Sequence, residues 1–350
     1  MISPTYGFQS DLIPDELLSS YLVRQSARLG VTPHRLQGQF EPNFEIWTRD
    51  VDRSASDALI AAIARRSSLD SGAIGSMTLR AYERVLSPST AEGRRPGGGT
   101  WINAVGVFHR KRTLHGLQYC PLCLKETPAF KRTWRLAFVT VCARHGVMLR
   151  DSCSHCDNAV VPHRSKQIGL RCHHCDRLLS AFSTPDRAAI RECFDLQELF
   201  LGTITVNGLL LGKVNVNASD FFRGASQLLQ VGKEKLARRQ DDAAITGRRF
   251  EFARASERAA CVSMLFRLLQ EWPRQFLHFA TACDLSRQCF ARYADSPSWL
   301  KDVINALPAR IRADRHRPAQ GEGRRRRRPI SENWRTVRAR TLLRAARRRT

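Results

Sequence analysis

The amino-acid sequence predicts a mainly α-helical protein with a pair of small metal-binding ribbons at its centre. Paired cysteines occupy residues 120–175, and apolar residues on both sides recur at the three- and four-residue spacing of helices. With 350 residues, 43% of them hydrophobic, the chain can bury a sizeable core. We expect a helical, helix-turn-helix-like domain at 1–100, a tandem ribbon region at 101–183, a helical domain at 184–308 and an Arg-rich, disordered tail at 309–350.

The first helices are predicted from apolar spacing. Leu18, Tyr21 and Leu22 mark one face of a helix that ends near Gly30. A second helix is expected to start near Ser54, a brief third around residues 74–77, and a fourth after residue 78. Two short helices joined by a tight turn resemble a helix-turn-helix, although any compact helical bundle gives the same pattern. Reading of DNA bases and simple packing therefore both remain open for this region.

The central region carries four ligand pairs, each with two residues between its members: Cys120 and Cys123, Cys142 and His145, Cys153 and Cys156, and Cys172 and Cys175. Such a gap lets one tight turn present both ligands to one ion, and two turns complete the tetrahedron that zinc prefers. The sequence therefore predicts two zinc ions (Zn2+). Both are expected to be structural, because complete quartets leave no coordination position for water.

Two pairings of these couplets are possible. The sequential pairing closes loops of eighteen and fifteen intervening residues, which is usual for zinc ribbons and is preferred here. A cross-braced pairing of the first with the third couplet and the second with the fourth fits the same spacing. His155, His173 and His174 lie inside the couplets and are expected to point away from the ions. Surface or phosphate-facing roles, rather than metal binding, are expected for these three and for His163. The remaining cysteines are expected to be buried as small hydrophobes; they are Cys193, Cys261, Cys283 and Cys289.

Further helices are predicted after the ribbons. Thr184 and Pro185 suit a helix start, and apolar spacing predicts helices around residues 221–229, 262–269 and 300–307. Ser296 is expected to cap the last of these, with Pro297 at its first position. The stretch at residues 276–294 is a second helix-turn-helix candidate, with its turn at residues 285–286.

The strongly basic balance predicts an anionic partner. The net charge is +25, and 13 of these charges fall within residues 310–350, where sixteen arginines stand against three acids. Nucleic acid is the partner that this excess favours. The candidate contacts are Lys131, Arg132, Arg135, Arg164, Lys166, Arg171, Arg324, Arg325, Arg326, Arg327 and Arg328.

Enzyme signatures are mostly absent. Gly208, Gly212 and Lys213 come closest to a phosphate-binding loop, but one spacer residue is missing and Val214 stands where a hydroxyl is required. Neither an H-x-E nor an H-E-x-x-H sequence occurs. No stretch reaches the roughly 20 apolar residues of a transmembrane helix. We therefore expect a cytoplasmic, non-catalytic protein whose cysteines stay reduced.

Several segments carry a family resemblance: PDELLSSYLVRQSARLG, IWTRDVD, MTLRAYE, YCPLCLKE and WRLAFVTVCARHGVMLRDSCSHC. Over roughly residues 10–180 they resemble the TniQ family of transposition proteins, whose members are similar to TnsD-type target selectors. The resemblance implies a non-catalytic accessory factor that directs target-site selection. Such a factor links target DNA or a targeting complex to an AAA+ transposition ATPase, and through it to the transposase. Similar proteins form homodimers. A sequence-specific, zinc-containing DNA-binding regulator is the alternative function.

Overall fold

The computed structural model describes residues 7–8, 11–38, 40, 46–86, 101–103, 105, 117–165, 170–180, 190–239 and 249–309. The chain divides into two compact units, Met1–Ile311 and Arg312–Thr350. The second unit, with the predicted basic tail, lies outside the described residues.

The described part is mainly α-helical, as the sequence predicts. Its α-helices are α1 Leu18–Arg28, α2 Pro33–Gln37, α3 Val51–Ser54, α4 Asp57–Arg66, α5 Ser71–Ser76, α6 Arg80–Leu86, α7 Pro121–Glu126, α8 Ile190–Thr205, α9 Ala218–Arg239, α10 Ala255–Leu269, α11 Arg274–Ala282 and α12 Ser298–Asn305. Short 3₁₀ helices lie at Thr133–Arg135, Pro162–Arg164, Phe250–Phe252 and Arg287–Phe290. Strands β1 Gly208–Leu211 and β2 Val214–Asn217 form an antiparallel hairpin that pairs Leu209 with Val216.

Local sequence signals explain the N-terminal helices. Helix α1 is followed by Gly30, whose φ of 65° is a conformation that glycine adopts without steric cost. The hydroxyl of Ser56 caps α4 by accepting the amide of Leu59, at 3.1 Å. Asp70 caps α5 in the same way. The helices expected near residues 54, 74 and 78 are thus present as α4, α5 and α6.

Two clusters of buried side chains stabilise the fold. The smaller cluster consists of buried apolar side chains between Phe8, on the chain before α1, and Met77, after α5. The larger one joins the central region to the helices that follow it, and it extends to Leu307. In its middle the indole nitrogen of Trp101 donates to the carbonyl of Phe222 on α9, at 3.1 Å. The larger cluster contains both central and C-terminal residues, so it does not mark a boundary near 183. The domain boundaries expected near 100, 183 and 308 stay predictions.

A buried arginine on α10 adds a polar connection between these parts. Arg258 is 2% exposed and donates to the carbonyl of Ala137 at 2.6 Å, to Oε1 of Gln118 at 2.9 Å and to the carbonyl of Ala253 at 3.1 Å. Within the described residues it forms no ion pair. Burial lowers the pKa of Arg258 to about 10. The guanidinium therefore bonds the central region to α10 through neutral acceptors alone.

The C-terminal helices differ from the sequence predictions in two details. Pro297, not Ser296, is the cap of α12, because the Ser296 hydroxyl donates instead to Gln227 Oε1 at 2.8 Å. The second helix-turn-helix candidate contains α11 followed by only a four-residue 3₁₀ helix, which is too short for a recognition helix. The predicted start at Thr184 lies outside the described residues.

The hairpin is a feature that the sequence analysis missed. Gly212, at φ 63°, turns the chain between β1 and β2. Gly208, Gly212 and Lys213, which come closest to a phosphate-binding loop in the sequence, thus belong to this hairpin and its turn. No helix among the described residues combines the length and the hydropathy needed to cross a bilayer.

Candidate metal centres and basic surface

The structure brings the eight sequence-predicted ligands together in two sequential quartets. Cys120, Cys123, Cys142 and His145 form site one, and Cys153, Cys156, Cys172 and Cys175 form site two. In each quartet all four ligand atoms lie within 4.8 Å of one another, and each quartet can hold a metal ion. The cross-braced pairing is not the one that the fold adopts.

Site one is formed by a helix start and a turn. Cys120 is the cap of α7 and its sulfur accepts the amide of Cys123 at 3.5 Å, while Pro121 takes the first helical position. The Cys123 sulfur lies 3.5 Å from the Cys142 sulfur and 3.3 Å from Nδ1 of His145. Nδ1 also lies 3.5 Å from the Cys120 sulfur and 3.6 Å from that of Cys142. The four atoms therefore converge on one point.

A carboxylate orients the histidine of site one. Nε2 of His145 lies 3.2 Å from Oε1 of Glu126, at the end of α7. With Nδ1 as a metal ligand, Nε2 would carry the proton and donate a hydrogen bond to the carboxylate of Glu126. Such a contact fixes the tautomer and orientation of a ligating imidazole. Glu126 also pairs with Arg144, at 3.1 Å.

The same backbone turn recurs three times, at the second couplet of site one and at both couplets of site two. In each, the amide of the first ligand donates to the carbonyl five residues later, and the amide four residues later donates back. The bonds run from Cys142 to Val147 (2.8 Å), Gly146 to Cys142 (2.8 Å), Cys153 to Asn158 (2.9 Å), Asp157 to Cys153 (3.0 Å), Cys172 to Arg177 (2.9 Å) and Asp176 to Cys172 (2.9 Å). The fourth residue after each first ligand has a positive φ, at Gly146 (59°), Asp157 (54°) and Asp176 (58°).

Site two is therefore a pair of facing turns. Its sulfurs lie 3.7 Å apart between Cys153 and Cys175, and 3.6 Å apart between Cys156 and Cys172. Cys153 and Cys172 are buried, whereas Cys156 and Cys175 are half-buried. Site one is more enclosed, since all three of its cysteines are buried.

Each quartet contains a thiol that ionises readily. Hydrogen bonds from the thiols of Cys120 and Cys123 hold the pKa of Cys142 well below its ordinary value. At site two burial raises the pKa of Cys156, but hydrogen bonds from Asn158 and from two cysteine thiols outweigh it and lower the pKa to about 6. Since the thiolate is the form that binds metal, both quartets are suited to binding a cation.

The other candidate ligands stay outside the quartets. Among the described residues, neither metal group includes any of the histidines at 155, 163, 173 and 174. The cysteines at 193, 261 and 283 are buried and Cys289 is half-buried, all within or against the larger cluster.

The structure corrects one predicted nucleic-acid contact, Arg135. This side chain is 0% exposed and donates to Asp52 at 3.0 Å, to Asp50, and to the carbonyl of Asn103 at 3.0 Å. Burial lowers the pKa of Arg135, but the carboxylates of Asp50 and Asp52 outweigh this effect and raise it. Burial raises the pKa of Asp52 to about 6. Arg135 thus joins the N-terminal helices to the central region and does not face solvent. Its ion-pair partners lie more than eighty residues away in sequence, and no local signal indicates them.

The remaining predicted contacts are distributed differently. Lys131 lies over the ring of Trp134, with its nitrogen 5.8 Å from the centroid. Arg132 pairs with Asp15 at 3.3 Å. Arg164 is half-buried, and Arg171 donates to the carbonyl of Asp176 at 2.8 Å. Lys166 and Arg324–Arg328 lie outside the described residues.

The described residues form a mainly α-helical protein with two central Cys/His quartets that could each hold a metal ion. Residues 8–149 match the model of the TniQ family. The matched segment contains all of site one and ends before site two, so it is shorter than the expected resemblance over 10–180. This match supports an accessory role associated with transposition. No curated protein matches the chain.

Proposed function

We propose that the protein is a non-catalytic transposition accessory protein that directs target-site selection. It links target DNA or a targeting complex to an AAA+ transposition ATPase, and acts on the transposase indirectly. The TniQ domain at residues 8–149 is the observation that supports this proposal. Both predicted partners, the ATPase and DNA, are encountered in the cytoplasm at the nucleoid, and a homodimer is compatible with such an adaptor.

Zinc is the metal that we propose for both quartets. With Zn–S bonds of about 2.3 Å and Zn–N bonds of about 2.0 Å, a tetrahedron requires S···S distances of about 3.8 Å and S···N distances of about 3.5 Å. The observed S···S distances of 3.5–3.7 Å and S···N distances of 3.3–3.6 Å are close to these values. A four-sulfur set and a three-sulfur, one-nitrogen set are both donor sets that favour zinc.

The role proposed for zinc is structural. Each quartet supplies four protein ligands, which fills a tetrahedral ion and leaves no position for water or substrate. The ions would hold the three turns in place, and the packed surfaces around them would contact partners. This is consistent with an adaptor and gives no support to metal-dependent hydrolysis.

A binding experiment tests the adaptor function. Tagged full-length protein is used to capture the AAA+ ATPase encoded in the same transposon, with and without DNA. We expect capture by the wild type and loss of capture by Cys120→Ser, because loss of site one unfolds part of the TniQ domain. Cys289→Ser is the matched control, since Cys289 belongs to neither quartet. Failure of the wild type to bind the ATPase under both conditions would refute the proposal.

The second candidate function is a sequence-specific DNA-binding regulator. The succession of short helices α4, α5 and α6 supports it, with Arg84 exposed on α6. Footprinting on genomic fragments distinguishes the two functions. Protection of one defined site by the protein alone favours the regulator, and protection that requires the ATPase or a targeting complex favours the adaptor.

A further inference from the structure

We propose that His34, Arg35, Arg49, His163 and Arg164 form one surface that contacts the phosphate groups of nucleic acid. We call it the joint surface, because it is assembled where the N-terminal helices meet the loop of site two. This inference rests on the proposed function, which includes DNA as a partner, and it adds the place of contact.

Aromatic contacts assemble the joint surface from three separate segments. The indole nitrogen of Trp47 donates to the carbonyl of Pro33 at 2.9 Å, which attaches residues 46–50 to α2. The ring of His163 stacks on Trp47 with centroids 4.7 Å apart and planes at 11°. The ring of His34 lies 6.1 Å from that of His163, edge to face. Arg35 follows His34 in α2, and Arg49 lines one cavity together with Trp47 and His163.

Two arginines of this surface, Arg35 and Arg49, keep their charge available. Arg35 and Arg49 are exposed, and neither guanidinium forms an ion pair within the described part of the chain. Other arginines of the N-terminal helices pair with acids, as Arg24 does with Asp11 at 2.9 Å and Arg80 with Asp57 at 2.5 Å. Unpaired guanidinium groups have donors to offer to an incoming anion.

The acids beside the joint surface are bonded to another cation. Asp50 and Asp52 lie one and three residues after Arg49 in the chain, and both accept hydrogen bonds from the buried guanidinium of Arg135. Asp52 also accepts the amide and the hydroxyl of Ser19, at 2.7 and 2.8 Å. One guanidinium balances one of the two carboxylates, so the two exposed charges of Arg35 and Arg49 exceed the negative charge that remains.

The chemistry of the surface favours phosphate over an acidic protein. Protein interfaces need buried apolar anchors. Of the large hydrophobic side chains exposed in the described ranges, none belongs to the joint surface; they are Leu12, Leu178, Val206, Leu210 and Val214. Planar guanidinium groups match the geometry of phosphate oxygens, and the net charge of +25 favours a polyanion.

The loop of site two carries two residues of the joint surface. His163 and Arg164 belong to the 3₁₀ helix Pro162–Arg164, which lies in the loop between Cys156 and Cys172. A metal bound by both couplets fixes the two ends of that loop. Loading of site two is therefore expected to position the histidine against Trp47.

The test measures how salt weakens DNA binding by the full-length, zinc-loaded chain. A fluorescent duplex is titrated with protein by anisotropy over a range of salt concentrations, for two unrelated sequences. Each phosphate contact contributes about 0.9 to the slope of log K against log salt. We expect Arg35→Gln/Arg49→Gln to lower the slope by about 2 and to weaken binding equally for both sequences. The matched control, Arg191→Gln/Lys301→Gln, removes two exposed charges from α8 and α12 and should leave the slope unchanged.

The outcomes separate this surface from the proposed function. A wild-type slope in Arg35→Gln/Arg49→Gln, or an equal drop in the control, overturns the joint surface and leaves DNA binding intact. Unchanged DNA binding together with lost capture of the ATPase assigns the surface to a protein and also overturns the inference. Absence of salt-dependent DNA binding by the wild type overturns both. Two bound zinc ions per chain in every variant verify that the proteins are folded.

Discussion

Replacement of Arg258 tests how the C-terminal helices are bonded to the metal-binding region. In Arg258→Met the carbonyl of Ala137, the side chain of Gln118 and the carbonyl of Ala253 lose their donor. Hydrogen bonds from charged donors contribute about 1.5–3 kcal/mol each, so the loss of three amounts to roughly 4–9 kcal/mol. The change of volume is small, because methionine fills irregular apolar spaces.

An opposing gain offsets part of this loss. The pKa of Arg258 falls from 12.5 to about 10 on burial, so folding disfavours the charged form by about 3 kcal/mol. Removing the charge therefore stabilises the folded state by about the same amount. The net destabilisation expected for Arg258→Met is therefore on the order of 3 kcal/mol. The substitution destabilises the protein because the cost of the three unsatisfied acceptors exceeds the gain from removing the buried charge.

Denaturant unfolding of the zinc-loaded protein measures this difference. Arg267→Met is the matched control on the same helix: its guanidinium pairs with Glu192 at 2.9 Å but is 69% exposed, so we expect a loss below about 1 kcal/mol. An unfolding free energy of Arg258→Met within about 0.5 kcal/mol of the wild type, which is the usual range for surface substitutions, would contradict this expectation. An equal loss in both variants would refute it as well.

Three further predictions concern the metal ions, one helix contact and pH. Cys120→Ser or Cys172→Ser should each lower the zinc content from two ions to one, as measured by elemental analysis; two ions retained in both would contradict the ligand assignment. Gly224→Ala places a methyl group 2.2 Å from the side chain of Trp299 in α12 and should lower the free energy of unfolding by about 1–3 kcal/mol. Gly202→Ala, whose methyl group meets open space, is the control and should be neutral or stabilising. Thermal unfolding compares the two variants. The raised pKa of Asp52, about 6 against 3.8, means that the native state holds a proton that the unfolded state has lost between about pH 4 and 6. The contribution of Asp52 to the free energy of unfolding therefore falls as pH rises through that window. The stability of the wild type relative to Asp52→Asn should be about 1 kcal/mol greater at pH 5 than at pH 7. A difference that does not change with pH would contradict the raised pKa of Asp52.

The metal-binding quartets could be predicted from sequence because their signal is local. A two-residue gap between ligands imposes a single turn, and the loop lengths favoured the sequential pairing that the fold adopts. The same holds for α1, α4 and α9, whose apolar spacing and flanking residues are sufficient. Short elements were less accessible. Helix α2 depends on Thr32, which caps it by accepting the amide of Arg35 at 3.3 Å, and the hairpin depends on one glycine.

Long-range charge pairing was the part that sequence could not provide. Arg135 stands in a basic, aromatic segment that resembles a nucleic-acid contact, yet the fold places it against two aspartates from the N-terminal helices. Arg49 stands beside those aspartates and remains exposed because Arg135 already binds them. The fate of each arginine depends on which carboxylates the tertiary fold brings near it, and that information is not contained in local composition.

The unequal burial of the two quartets has a consequence for metal exchange. All three cysteines of site one are buried, whereas Cys156 and Cys175 of site two are half-buried. A metal ion held in site one would therefore be less accessible to a chelator than an ion held in site two. Ions bound at both sites would be released at different rates, and the slower rate would report how often the packing around site one opens.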